Sequence, residues 1–245
     1  MGREDWYRAQ TWDPDTEAAF ETRLRRSRSG RAQYLKIQGL SLADSPRPAD
    51  REVARSMFAR VIEEFEGVPG ERMSVIDAWA ELGRSLHREG LLDDALHAFE
   101  RYRALVDASG RPSTSSASDI AHIELLLEVG TVDSLNRAAT LITLQAAQFT
   151  AHGAVLPVER FRHAQVAARV SDRRDDRSAG DLARLALQLS EDRSDPFPNH
   201  PGFGAIRSTP QEIDELHRIS DRHPSVEEPA PPHRLQQSGG DSETT

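Results

Sequence analysis

The sequence predicts an all-α protein built from about four helical hairpins. The first observation is a helix–turn–helix pattern between Trp79 and Tyr102, with Gly90 at the turn. The second is that parts of this pattern recur at intervals of about 40 residues, as from Gly90 to Gly130. The third is a composition with 37% hydrophobic and 6% aromatic residues, which suits a thin helical array. We therefore expect a domain of stacked hairpins over residues 1–194.

The central hairpin carries the most specific motif. Its first helix has the spacing W-x2-L-G-x2-[YL] at Trp79, Leu82, Gly83 and Leu86, and its second helix has Leu92, Ala95 and Phe99. We expect Gly83 and Ala95 to mark the closest approach of the two helices, with Trp79 and Phe99 filling the space around them. The stretch from Ile76 to Ser109, about 34 residues long, resembles a tetratricopeptide repeat.

This resemblance implies a right-handed superhelix whose first helices line a concave groove. Asp107 stands where the family commonly places a helix-ending proline. The second helix of the central hairpin is therefore expected to run on or to end differently.

The first helix is predicted from Asp13 to about Arg28. Asp13 is a favourable N-cap and Pro14 suits the first helical position, while Gly30 stops the helix. Three aromatic residues precede it: Trp6, Tyr7 and Trp12. We expect them to cover the open edge of the first hairpin, the alternative being that they anchor a partner chain.

The helices that follow repeat parts of the central pattern. Helices are expected at about 31–42 and 49–65. The second of these has Ala54, Phe58 and Val61 in the positions of Ala95, Phe99 and Tyr102, and the same spacing recurs at Leu135, Ala139 and Ile142. These matches predict the second helices of three successive hairpins.

A fourth hairpin is predicted from Pro157 to about Leu189. Its first helix would bury Phe161, Ala164 and Ala168, and its second helix Ala179, Ala183 and Ala186. Residues 195–245 form an irregular segment with one short helix at 210–220, opened by a capping box of Thr209 and Glu212. From Asp221 onward so few residues are apolar that we expect a disordered tail.

A second resemblance concerns the whole chain. It rests on three segments, namely 31–35 (RAQYL), 157–162 (PVERFR) and 200–202 (HPG). Together they resemble a bacterial family of helical-repeat proteins without an assigned activity. This resemblance implies a fold and no catalytic residue.

Composition excludes several classes of function. The chain has no cysteine, so disulfides and thiolate sites are excluded, and it has no apolar run long enough to cross a bilayer. The net charge of −9 argues against general affinity for nucleic acid. The sequence therefore favours a cytoplasmic protein that takes no cofactor or metal.

One local feature supports nucleic-acid binding as an alternative. The segment 23–31 contains Arg23, Arg25, Arg26, Arg28 and Arg31 and no acidic residue. It also has no interleaved aromatic residue on which bases could stack. A basic helix end that complements the helix dipole is the simpler interpretation.

The sequence does not favour an enzyme. It contains no G-x-S-x-G, G-x-x-x-x-G-K-[ST], G-x-G-x-x-G or H-E-x-x-H motif, and no catalytic residue is predicted. Scattered serine, aspartate and histidine residues could still converge in space, so an unrecognised enzyme stays an alternative. The favoured function is a scaffold or adaptor that binds another protein.

The tetratricopeptide resemblance places candidate binding residues on the first helices. These candidates are Asp77, Arg84, His87, Arg88, Arg162, His163 and Arg169. A groove lined with arginine and histidine would favour a partner with carboxylates, such as an acidic peptide. The alternative is a solvated helix face with ion pairs four residues apart. Ala80 occupies the key basic position of the family's carboxylate clamp, so that clamp is not reproduced.

The expected close approach of Gly83 and Ala95 is testable by overpacking. Replacing Ala95 with leucine should destabilise the hairpin by about 1–3 kcal/mol, because the added atoms have no space between the helices. Thermal unfolding followed by circular dichroism measures the change. An Ala95→Leu variant that melts with the wild type would contradict the repeat assignment.

Overall fold

The described parts of the protein are all helical. The computed structural model describes residues 6–109, 116–152, 156–192 and 204–224, together with residues 194, 197, 199, 200 and 202. Within these residues there is no β-strand, and the helices are α1 (Pro14–Arg26), α2 (Arg31–Ala43), α3 (Pro48–Phe65), α4 (Arg72–Arg88), α5 (Leu92–Ser109), α6 (Ser116–Val129), α7 (Val132–His152), α8 (Pro157–Arg173), α9 (Ala179–Ser190) and α10 (Pro210–Arg222). A short 3-10 helix, Pro69–Glu71, precedes α4. Most of the predicted disordered tail, 225–245, lies outside the described residues.

The helices pack as four consecutive hairpins, α2–α3, α4–α5, α6–α7 and α8–α9. The first helices α2, α4, α6 and α8 contact one another in chain order. Each second helix also contacts the first helix of the next hairpin, as α3 does with α4. The first helices therefore form a row, and their remaining faces make one surface.

Several helix ends agree with the sequence predictions. The Asp13 carboxylate caps α1 by accepting a hydrogen bond from the Thr16 backbone N–H at 2.8 Å. Gly90 takes a positive φ of 74° in the turn between α4 and α5, a conformation that glycine adopts without steric cost. Helix α5 continues past Asp107 to Ser109.

A glycine meets a phenylalanine ring in each of the first two hairpins. A Cβ atom added to Gly39 would lie 2.6 Å from Cε1 of Phe58, and one added to Gly83 would lie 3.0 Å from Cδ2 of Phe99. Both rings are fully buried. The atoms nearest to Gly83 thus belong to Phe99 and not to Ala95, although Ala95 is also buried. The matching contact at Gly39 was not predicted.

The third hairpin is packed differently. Helix α6 has no glycine, and large buried side chains such as Ile123 and Leu126 face its neighbours. On α7 the buried stripe is Leu135, Ala138 and Leu141, whereas the predicted Ala139 and Ile142 are only partly buried. At position 123, 40 residues after Gly83, α6 has a fully buried isoleucine in place of glycine, so α7 cannot approach α6 as closely as α5 approaches α4.

The aromatic residues before α1 cover the first hairpin, as predicted. Trp6 packs on Phe20 and Tyr34, with ring centroids 5.3 Å and 4.9 Å away. The segment is also held by the buried Gln38, whose amide donates to the Ala9 carbonyl at 2.8 Å and accepts from the Ala9 N–H at 2.9 Å. These contacts close the hydrophobic core at the amino-terminal end.

Helix α10 belongs to the same packed body as the fourth hairpin. Its Leu216 and Ile219 are buried in one cluster with Phe161 of α8 and Ala183 of α9. Its contacts with α9 and α8 repeat those that α4 makes with α3 and α2. The helical packing therefore continues to Arg222, beyond the boundary expected at 194.

Alanine substitutions at Gly39 and Gly83 should show which of the two glycine–phenylalanine contacts is the more tightly packed. Gly39→Ala should cost about 1–3 kcal/mol through overpacking, which exceeds the gain of about 1 kcal/mol from removing a helical glycine. Gly83→Ala should be milder, because its closest ring contact is 3.0 Å instead of 2.6 Å. Thermal and urea unfolding measure both variants.

Gly70 provides the control, because a Cβ atom there would have no neighbour within 4 Å. Gly70→Ala should remain within about 0.5 kcal/mol of the wild type. If Gly39→Ala were as stable as Gly70→Ala, the ring of Phe58 would not fix the distance between α2 and α3.

Candidate functional site

Two depressions lie along the row of first helices. One, of about 290 Å³, is lined by α2, α4 and α6, and the other, of about 530 Å³, is lined by α6, α8 and Gly204. Ala121 and Glu124 of α6 line both depressions. The two depressions therefore adjoin at α6, and together they are called the groove from here on.

Three of the predicted binding residues meet in the first depression. His87 and Arg88 follow Arg84 by three and four positions on α4, which places both of them on the same side of the helix as Arg84. The other residues lining this depression are Leu40, Ala43, Asp44, Glu81, Ala121 and Glu124. The sequence prediction thus located one wall of the groove.

The basic side chains of this wall are already paired within the chain. Arg84 forms an ion pair with Glu81 on the same helix, and Arg88 reaches Asp44 at the end of α2. His87 Nε2 lies 2.8 Å from Glu128 Oε2 of α6. Partial burial lowers the pKa of Arg84, and the nearby Arg88 acts in the same direction, but arginine stays protonated at neutral pH.

Glu124 differs from its neighbours in the groove. It is partly buried, and among the described residues it has no hydrogen-bond or ion-pair partner. Glu124 lines both depressions. The unpaired charged residue that lines the groove is therefore acidic.

Three predicted binding residues lie outside the groove. Asp77 binds Lys36 of α2 at 2.6 Å and so connects two first helices. His163 faces α7, where its Nε2 lies 3.1 Å from the Ile142 carbonyl, and burial lowers its pKa. Arg169 pairs with Glu215 of α10 at 3.3 Å. These side chains hold helices together in the described structure.

Arg162 lines the second depression and also binds α10. Its guanidinium pairs with Glu212 and donates to Gln165 at 2.9 Å. Burial raises the pKa of Glu212, but hydrogen bonds from Thr209, Arg162 and Gln165 outweigh this effect and lower it to about 2. Glu212 and Glu215 thus supply the carboxylates that face Arg162 and Arg169.

Sequence reasoning missed several residues that line the groove, among them Leu40, Asp44 and Glu124. The repeat interval contained a signal for two of them, since Asp44, Arg84 and Glu124 follow one another at intervals of about 40 residues. Applying that interval to the candidate Arg84 would have placed Glu124 in the groove. Leu40 had a similar signal, since it lies 40 residues before Ala80, the residue at the clamp position.

The other features considered in the sequence add no second site. Arg23, Arg25 and Arg26 lie in the last turn of α1, where basic side chains complement the helix dipole. Within the described ranges, every helix is too short or too polar to cross a bilayer. The same ranges contain no cluster of His, Asp and Glu that could hold a metal ion.

Comparison with known proteins found no matching family model, curated protein or solved structure. The function of this chain must therefore be inferred from its own residues, their packing and their charges.

The Arg162–Glu212 pair predicts acid-sensitive packing of α10. Glu212→Gln keeps a residue suited to the capping box but removes the charge, and should cost about 1.5–3 kcal/mol at neutral pH. The pKa of Glu212 is lower in the folded protein, so its contribution is present above pH 4.5 and is lost as the pH falls towards about 2. Unfolding measured across this range should show the stabilities of wild type and variant converging. A constant difference down to pH 2 would contradict the assignment.

Proposed function

We propose that this protein is a tetratricopeptide-like interaction module, a right-handed superhelix whose groove binds a segment of a partner protein. The observation that carries the proposal is that two depressions adjoin along α2, α4, α6 and α8. An elongated groove along a row of helices suits an extended or helical peptide better than a compact small molecule.

The packing of the hairpins supports the repeat assignment. In both of the first two hairpins a glycine on the first helix meets a buried phenylalanine on the second, through Gly39 with Phe58 and Gly83 with Phe99. The order of helix contacts is the same from one hairpin to the next. Repeated local packing of this kind is typical of solenoid proteins, in which each repeat contacts its neighbours.

The chemistry of the groove favours a partner segment with an apolar and a basic side chain. Leu40 is a large apolar residue with 42% exposure, and together with Ala43 and Ala121 it offers an apolar contact surface. Glu124 offers an unpaired carboxylate beside that surface. A lysine or arginine of the partner would form a charge-assisted hydrogen bond there.

The acidic partner expected from the sequence fits this arrangement less well. A carboxylate of the partner would have to share Arg84 with Glu81 and Arg88 with Asp44. It would also approach the unpaired carboxylate of Glu124. We therefore replace the expectation of an acidic peptide with that of a basic, partly apolar segment.

A selection of displayed random peptides on the immobilised full-length protein tests this proposal. The enriched peptides should share a basic residue close to an apolar one, and a peptide made from that consensus should bind in solution. Leu40→Glu and Glu124→Lys should each lower the affinity for the peptide by about tenfold or more. Leu40→Glu removes the apolar contact, and Glu124→Lys reverses the charge at that position.

Leu185→Glu is the matched control. Leu185 has 44% exposure, close to the 42% of Leu40, but lies on α9 outside the groove. If Leu185→Glu no longer bound the peptide while Leu40→Glu and Glu124→Lys bound it with wild-type affinity, the binding surface would lie outside the groove. Enrichment of acidic peptides would restore the partner class expected from the sequence.

A further inference from the structure

A second cavity, of about 390 Å³, lies between α5, α6 and α7. It shares no lining residue with the groove. Ala104, Leu141 and Leu144 form its apolar part, and Leu144 is 44% exposed. The volume is within the range of pockets that hold small organic molecules.

His122 is the unusual residue of this cavity. It is only 2% exposed, and its ring lies parallel to that of Phe99 at a centroid distance of 5.1 Å. Neither ring nitrogen has a hydrogen-bond partner among the described residues. Buried polar groups in proteins are nearly always hydrogen-bonded, so two unbonded nitrogens next to a cavity point to a ligand.

The surroundings keep His122 neutral. Burial lowers its pKa most, and the positive charges of Arg137 and Arg103 lower it further, to about 3. A neutral imidazole has one N–H donor and one acceptor nitrogen. At neutral pH the ring can therefore donate one hydrogen bond to a molecule in the cavity without gaining a buried charge.

Two guanidinium groups flank the cavity from opposite helices. Arg103 of α5 is held by Asp107, with Nε to Oδ1 at 3.0 Å, and lies 3.8 Å from Asp119. Arg137 of α7 is held by Glu100 at 2.8 Å. Each guanidinium has five N–H donors, so an ion pair with one carboxylate leaves donors for a second acceptor. In contrast to the groove with its unpaired Glu124, the acidic residues that line this cavity, Glu100 and Asp107, are both paired. Their positive charges favour an anionic group at His122 over a cationic one.

We propose that this cavity binds a small monocarboxylic acid with an apolar body. The carboxylate accepts a hydrogen bond from His122 and faces Arg103 and Arg137, and the apolar body contacts Leu141 and Leu144. A carboxylate supplies the acceptor that the imidazole lacks, and the leucine side chains select against compact polar anions.

Hexanoate is a suitable probe, with hexanamide and hexylammonium as analogues of similar size. The full-length protein is labelled with ¹⁵N at the histidine rings, and each compound is titrated while the ring resonances are recorded. Hexanoate should shift the resonances of His122 and saturate, hexanamide should bind more weakly, and hexylammonium should not bind. Unchanged His122 resonances up to the solubility limit of hexanoate, or equal binding of hexylammonium, would overturn the proposal.

Replacement of His122 separates a ligand-binding role from a structural one. His122→Leu should lower the affinity for hexanoate by about tenfold or more. The melting temperature of this variant should equal or exceed that of the wild type, because the substitution removes a buried polar group that has no hydrogen bond. His97→Leu is the control, since His97 is exposed on α5 and lies against Trp79 instead of the cavity. Wild-type affinity in His122→Leu would refute the assignment.

If His122→Leu melts well below the wild type, Arg137→Gln decides the question. Its side chain is 38% exposed at the rim of the cavity, so the substitution should leave folding intact. Hexanoate should bind more weakly to this variant, whereas hexanamide should bind as it does to the wild type. If Arg137→Gln lowered the affinity for hexanoate and hexanamide equally, or changed neither affinity, the result would contradict recognition of a carboxylate.

Discussion

Two phenylalanine rings packed directly on glycine backbones set the spacing of the first two hairpins. Phe58 on Gly39 and Phe99 on Gly83 leave no room for a methyl group without a shift of the ring or the helix. Because each second helix also contacts the next first helix, this spacing fixes how closely α2, α4 and α6 lie together. The width of the groove on these helices therefore depends on contacts buried behind it.

Charge pairing within the chain determines what the groove can attract. Arg84 and Arg88 both carry a positive charge, but Arg84 already forms an ion pair with Glu81, and Arg88 forms one with Asp44. In the depression lined by α6 and α8, Glu212 of α10 pairs with Arg162 in the same way. Under the proposed function, the unpaired Glu124 therefore favours a basic partner, although four of the seven side chains predicted from the sequence to bind a partner are arginine.

The fold could be predicted well wherever a local signal fixed it. Asp13, Pro157 and the capping box at Thr209 mark helix starts through their own chemistry, and these starts are confirmed. Gly39 was missed because Gln38, and not leucine, precedes it, so the motif seen at Gly83 is incomplete there. The partners of Arg88, Arg162 and Arg169 lie 44, 50 and 46 positions away and could not be deduced from local spacing. Glu81, three positions before Arg84 on the same helix, is the one partner that local spacing could have indicated.

Hydrogen exchange of the backbone amides, with and without a peptide obtained by selection, tests the central claim most directly. If the row of first helices forms the binding surface, added protection should concentrate on α2, α4 and α6, around Leu40, Arg88 and Glu124. The faces of α3, α5 and α7 should exchange as before. Protection on α3, α5 and α7 without protection on α2, α4 and α6 would contradict the account.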